Sequence, residues 1–396
     1  MPQVWYGAPY TATLVLDLPM PAGSENAVGI ERRGWCIFER RLSSITKYGR
    51  CCLTLSRTPE DAAADIFWAD LAMDCHADRL APMAPDAFEE LMVTGMEREK
   101  KEKGTGIAFT NGKDATKICI PQYREGFLRL MGECDMLAFD FCGWHDEEAR
   151  QLAGALAFAH AQGATTPAHT LALAGNRLTD AALPHLVAAF EAGALPSVDN
   201  LALDGNRFTD AAIELLRPLL TGQLSAQLTK FGCGGDLTAA GVRKLTAIIS
   251  DGHLEQLEVC RPLHLHMRTT HVLAHAHAGA AHVQKSPRPH ACSTNAHAQD
   301  LDLQDNSQLG DDGATALASL LSAGKLAGMT ELRLDGCGIG DGGATAIVDA
   351  LNGGGAPELV TLIIGRNEFD TAAKDALKAA CATRSIEAMA TPFDQL

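Results

Sequence analysis

Leu171-Ala172-Leu173-Ala174-Gly175-Asn176 decides the fold, because the chain writes this line four more times. Leu201-Ala202-Leu203-Asp204-Gly205-Asn206, Leu301-Asp302-Leu303-Gln304-Asp305-Asn306, Leu332-Arg333-Leu334-Asp335-Gly336-Cys337 and Leu362-Ile363-Ile364-Gly365-Arg366-Asn367 follow, all of the form L-x-L-x-x-N/C. The first two start 30 residues apart, as do the last two. The third and fourth start 31 apart, and the extra residue lies in Asn306-Ser307-Gln308-Leu309. A fixed period of this length implies a solenoid.

Within each unit the two leucines alternate with polar or small residues, the period of a strand with one buried face. The Asn that follows can donate to and accept from the backbone of adjacent turns. Asn176, Asn206, Asn306 and Asn367 are therefore expected to form a ladder, with Cys337 replacing one rung. Next come Thr179-Asp180, Thr209-Asp210, Gly310-Asp311, Gly340-Asp341 and Asp370-Thr371, where Asp or Thr is expected to cap a helix. Leu183, Leu186 and Phe190 have helical spacing, as do Leu317, Leu320 and Leu321. Gly193, Gly222, Gly324 and Gly353 stand where these helices should stop. Two further units read as degenerate. One carries Leu137, Phe139, Phe141 and Trp144 and caps the stack; the other spans 228–251 and has Gly234-Gly235 in place of Gly-Asn.

These units resemble the leucine-rich repeat in its ribonuclease-inhibitor-like form, over roughly residues 136–390. The resemblance implies an α/β solenoid with parallel strands on the concave side and helices on the convex side. The chain then divides into a head at 1–135, a first repeat block at 136–260, an insertion at 261–299 and a second repeat block at 300–390.

The head carries strand-like 11–17, a helical stretch with Trp35, Phe38, Leu42 and Ile45 on one face, and strand-like 51–55. This is an α/β pattern. Trp35-Cys36-Ile37-Phe38-Glu39 resembles the W-C-L-x-E line of TIR domains, and the head reads as a partial TIR/flavodoxin-like domain. That resemblance would make Glu39 the catalytic carboxylate of an NAD hydrolase with the repeats as sensor, the alternative to a binding function. Residues 85–94 and 123–131 read as helices, and 96–103 as a solvated helix end. Gly106 and Gly112 are spaced wrongly for a phosphate-binding loop, so a turn is expected there.

Residues 261–299 hold eight of the 14 histidines, four basic residues and no acidic one. His-x-His alternation can bind metal, but no carboxylate is present to orient the rings. The stretch reads as a disordered insertion or intron-derived sequence, and neither a metal nor a cofactor is expected.

The formal charge of −16 argues against a nucleic-acid partner. No run of 18 apolar residues exists to span a membrane, and no secretory signal is legible. Twelve cysteines without a C-x-x-C pair suit a reduced, cytoplasmic setting. Residues between the buried leucines should face the concave side. Those expected to meet a protein or peptide partner are Ala172, Ala174, Ala202, Asp204, Asp302, Gln304, Glu331, Arg333, Asp335 and Ile363. Outside the His-rich stretch, residues 136–396 hold 13 Lys/Arg against 29 Asp/Glu. The expected partner is accordingly basic.

Overall fold

The computed structural model describes residues 11–17, 28–48, 51–55, 79–222, 227–228, 230–233, 235–251 and 299–389. The His-rich expectation falls on residues that lie, except for Gln299, outside this set.

The L-x-L lines form one eight-stranded parallel sheet whose strands lie side by side in chain order. They are β3 (Met136–Ala138), β4 (Thr170–Ala172), β5 (Asn200–Ala202), β6 (Lys230–Gly232), β7 (Gln299–Asp302), β8 (Met329–Arg333), β9 (Thr361–Ile363) and β10 (Glu387–Met389). Between them come α4 (Asp146–Ala161), α5 (Leu183–Glu191), α6 (Ala211–Thr221), α7 (Ala239–Ser250), α8 (Gly310–Ser322), α9 (Asp341–Asn352) and α10 (Thr371–Thr383). Register holds leucine against leucine: Leu171 pairs with Leu201, and Leu332 with Leu362. Aliphatic ridges from every unit thus merge into one core with the helices' buried faces. Between β6 and β7 only Gly232 and Asp302 pair among the described residues, and the pairing of β7 with β8 carries a register shift at Gln299/Asp300. The chain leaves the described set at Asp251 and re-enters it here.

The asparagine ladder is present. Asn206 is buried; its Oδ1 accepts the Leu178 N–H (3.1 Å), and its Nδ2 donates to Leu173 O (2.9 Å) and Leu203 O (2.8 Å). Asn176, Asn306 and Asn367 do equivalent work. Cys337 Sγ supplies a weaker donor to Leu303 O at 3.0 Å. The unit with Gly235 has no Asn of its own, and Asn306 Oδ1 accepts its Gly235 and Leu237 N–H groups.

Three sequence expectations need correction. The L-x-L-x-x-C line reaches one unit earlier, as Leu137-Ala138-Phe139-Asp140-Phe141-Cys142. Its Phe141 sits at φ 54° in the turn, half-buried, at the place Gly175 and Gly205 occupy in later units. The cap residues also split their labour. Thr179 and Thr238 cap their own helices, whereas Asp146, Asp180 and Asp210 each bind the backbone and hydroxyl of the next unit's Thr. Finally, β10 closes the sheet without an L-x-L-x-x-N line.

In the head, β1 (Thr13–Val15) and β2 (Cys52–Thr54) pair in parallel around α1 (Gly34–Ser43). Phe38, Leu42 and Ile45 are fully buried, as their spacing implies, while Trp35 stays half-buried. Helix α2 (Pro85–Lys101) takes in the expected helical stretch at 85–94 and most of the helix end expected at 96–103, and α3 (Ile120–Glu133) follows. Aromatic rings chain these helices together, with Phe88 stacked on Tyr123 at 3.9 Å and Phe127 edge-on to Phe158 of α4 at 6.0 Å. Arg79 adds a polar clamp. Its guanidinium donates to Ala138 O (2.8 Å) and Ser44 O (3.2 Å) and lies over the Phe139 ring, while its carbonyl accepts Trp144 Nε1–H at 2.7 Å.

Candidate functional site

Strand alternation turns one residue set of the sheet toward the helices and the other onto the open face. In-register pairing arranges that second set in rows. The middle row runs Ala138, Ala172, Ala202, Gly232, Asp302, Arg333, Ile363. One row lies two residues earlier, with Asp300, Glu331 and Thr361; another lies two residues later, with Asp140, Ala174, Asp204, Gln304 and Asp335. All ten residues expected on the concave side fall on this grid.

Their exposure differs from a freely open surface. Ala172, Ala174 and Ala202 form a small buried cluster of their own. Asp204, Glu331, Asp335 and Ile363 are buried as well, and Gln304 and Arg333 are half-buried. Strands spaced about 4.8 Å apart leave a methyl side chain shaded by its neighbours, so the row of alanines makes a low, smooth floor. The side chain of Asp302 lies outside the described set.

The charged groups of the face divide into partnered and unpartnered atoms. Glu331 holds Arg333 at 2.5 Å. Asp140 Oδ1 accepts the Ala174 N–H at 2.9 Å. Arg366 Nη2 reaches Asp305 at 2.8 Å and stands 3.7 Å from Asp335 Oδ2. By contrast, Asp204 Oδ1 and Asp335 Oδ1 are buried and have no hydrogen-bond partner. Asp204 is only 3% exposed and Asp335 only 2%. Desolvation pushes the Asp204 carboxyl up to about 6. It raises Asp335 too, against the opposing pull of the Arg366 guanidinium. Asp204 Oδ1 lies 2.2 Å from where a Cβ on Gly232 would sit, so the carboxylate leans over the gap that this glycine leaves in the floor.

Sequence reading missed Gly232, Asp140, Asp305 and Arg366 as parts of this face. Gly232 falls in a unit whose line departs from the pattern, and Asp305 and Arg366 occupy the turn position that the pattern leaves unspecified. Burial, then Asp204, pushes the nearby Cys233 thiol up to about 12.

Glu39 lies apart, half-buried on α1. The thiol of Cys119 is pushed up to about 12, first by burial and then by Asp114 and Glu39. His145 precedes α4, where its N–H donates to Glu148 Oε2 at 2.9 Å. Among the described residues no group of three His, Cys, Asp or Glu could hold a metal ion, and no helix is long and apolar enough to cross a membrane.

No curated protein matches this chain. The family model described as Leucine Rich repeat matches residues 294–318 and 329–348, the segments around β7–α8 and β8–α9. Residues 294–348 of this chain therefore carry two leucine-rich repeats.

Proposed function

We propose that the protein is an interaction module that holds a protein or peptide partner against the concave face of a ribonuclease-inhibitor-like solenoid. One observation carries the reading. Eight parallel strands in chain order pack their leucine side into one core with the helices, and set chemically distinct rows of side chains in register on the other side. Leucine-rich repeats are commonly protein-interaction modules, and the net charge of −16 favours a basic partner in a cytoplasmic setting.

A photo-crosslinking residue at Gln304 on this face, compared with one at Arg217 on the helical side, tests the proposal. Adducts with a partner from Gln304 alone support it. Equal labelling from both positions, or labelling from Arg217 only, rules it out. The second reading, a TIR-like NAD hydrolase, draws on the parallel β1–α1–β2 unit with Glu39 on its helix. NAD turnover that disappears in Glu39→Ala would support that reading.

A further inference from the structure

An unpartnered carboxylate oxygen inside a protein is costly, because it has given up water and received no donor in return. Among the described residues this sheet face holds two such oxygens, on Asp204 and Asp335. Arg333 is held by Glu331; Arg366 pairs with Asp305 and reaches Asp335 only at Oδ2, 3.7 Å away, so Asp335 Oδ1 is left without a donor.

The two carboxylates share one row. From Ala202 the register steps to Gly232, to Asp302 and to Arg333, and Asp204 and Asp335 each lie two residues beyond the ends of that path. Three strand steps of about 4.8 Å put them roughly 14 Å apart. An extended peptide advances about 3.3 Å per residue, so its residues i and i+4 are about 13 Å apart and point the same way. At the Asp204 end the floor is low at Ala202, and the carboxylate itself leans over Gly232. A group that reaches such recessed oxygens must be slender and must bring its own donors, as lysine and arginine side chains do.

We infer that this face is built to take an extended basic peptide running across the strands, with two Lys or Arg residues four positions apart paired to Asp204 and Asp335. The inference rests on the concave-face reading above and names its ligand class. Asp204, held near 6, is driven to its charged form when a cation arrives, so binding releases protons near neutral pH and weakens in acid.

The test uses the full chain and short extended synthetic peptides that carry one lysine, two at i and i+3, or two at i and i+4. Affinity is read by fluorescence anisotropy. The i and i+4 peptide is expected to bind roughly tenfold tighter than the others. Asp204→Asn or Asp335→Asn should each abolish that advantage, with melting curves showing the variants folded. Affinity that ignores lysine spacing, that survives both Asn variants, or that is unmeasurable at millimolar peptide would overturn the inference. Crosslinking from Gln304 is independent of these outcomes. A partner captured there by a protein indifferent to lysine spacing would leave the interaction module standing and remove only its assigned ligand.

Discussion

The carboxylate of Asp210 receives both the backbone N–H of Thr238, at 2.8 Å, and its hydroxyl, at 2.6 Å. Thr238 Oγ1 in turn accepts the Ala240 N–H at 3.1 Å and so caps α7. One acidic side chain thereby ties the start of one helix to the cap of the next. Asp146 with Thr179 and Asp180 with Thr209 repeat the arrangement. Together they form a second polar ladder alongside the asparagines. In the later units Gly340 and Asp370 supply only their N–H groups, to Asp311 and Asp341, and the hydroxyl bond is gone.

Asp210→Ala should cost about 1–3 kcal/mol, the range for leaving a donor without its charged acceptor. Thr238→Ala should cost about 1 kcal/mol as a lost cap. Because the two groups share a bond, the double variant should lose less than the sum. Urea titrations of the two single variants and the double variant measure this. Strict additivity would mean that the ladder links the units in geometry only.

Much of this architecture could be read from sequence because it is written in a period. Leu171, Leu201, Leu332 and Leu362 announce themselves by spacing, and each is buried where the alternation puts it. Asn206 was legible for the same reason. The split between Asp210 and Thr238 was not, since both are good caps and only the stacking of units decides which atom reaches which. The orphaned oxygens of Asp204 and Asp335 were beyond reach, for burial on an open sheet face depends on neighbouring strands far away in sequence.

Asp204 predicts an unusual pH dependence. Its folded carboxyl sits at about 6, above the ordinary value of 3.8. The folded state therefore holds this proton more tightly than the unfolded chain does. That contribution is fully favourable below the unfolded value and is lost as pH rises through about 6. Asp204→Asn should stabilise the protein at pH 8 by about 1–3 kcal/mol. At pH 4 the gain should be absent. Denaturant midpoints at the two pH values decide the matter; an equal effect at both would contradict the assigned titration.

Arg79 joins the head to the first repeat strand. Arg79→Ala removes the donor to Ala138 O and the donor to Ser44 O, and it uncovers the Phe139 ring. A loss of about 2–4 kcal/mol is expected from the unmatched carbonyls and the emptied space. The damage should be local. Hydrogen exchange should quicken in β2, α1 and β3 while β8 and β9 keep their protection, because each unit leans chiefly on its neighbours. Uniform acceleration along the whole sheet would show that head and repeats melt as one.

Gly336 provides the most specific backbone test. It lies at φ 63°, where a side chain is disfavoured by about 1–2 kcal/mol. Yet Asp305 and Arg366, at the same turn position in the units on either side, adopt φ 60° and 51° without being glycine. Their side chains meet across Gly336 at 2.8 Å. A Cβ on Gly336 would sit 2.8 Å from Asp305 Oδ1 and 3.6 Å from the Arg366 guanidinium carbon, so the glycine makes room for the pair. Both partners are about half exposed, and the pair itself contributes only about 0–1 kcal/mol. Gly336→Ala should therefore cost about 1–2 kcal/mol, nearly all of it from the backbone. Salt separates the two terms. Raising ionic strength should weaken the wild-type pair and slightly narrow the gap between wild type and variant, leaving the backbone cost unchanged. A gap that closes completely in high salt would mean that the ion pair, not the left-handed turn, is what Gly336 protects.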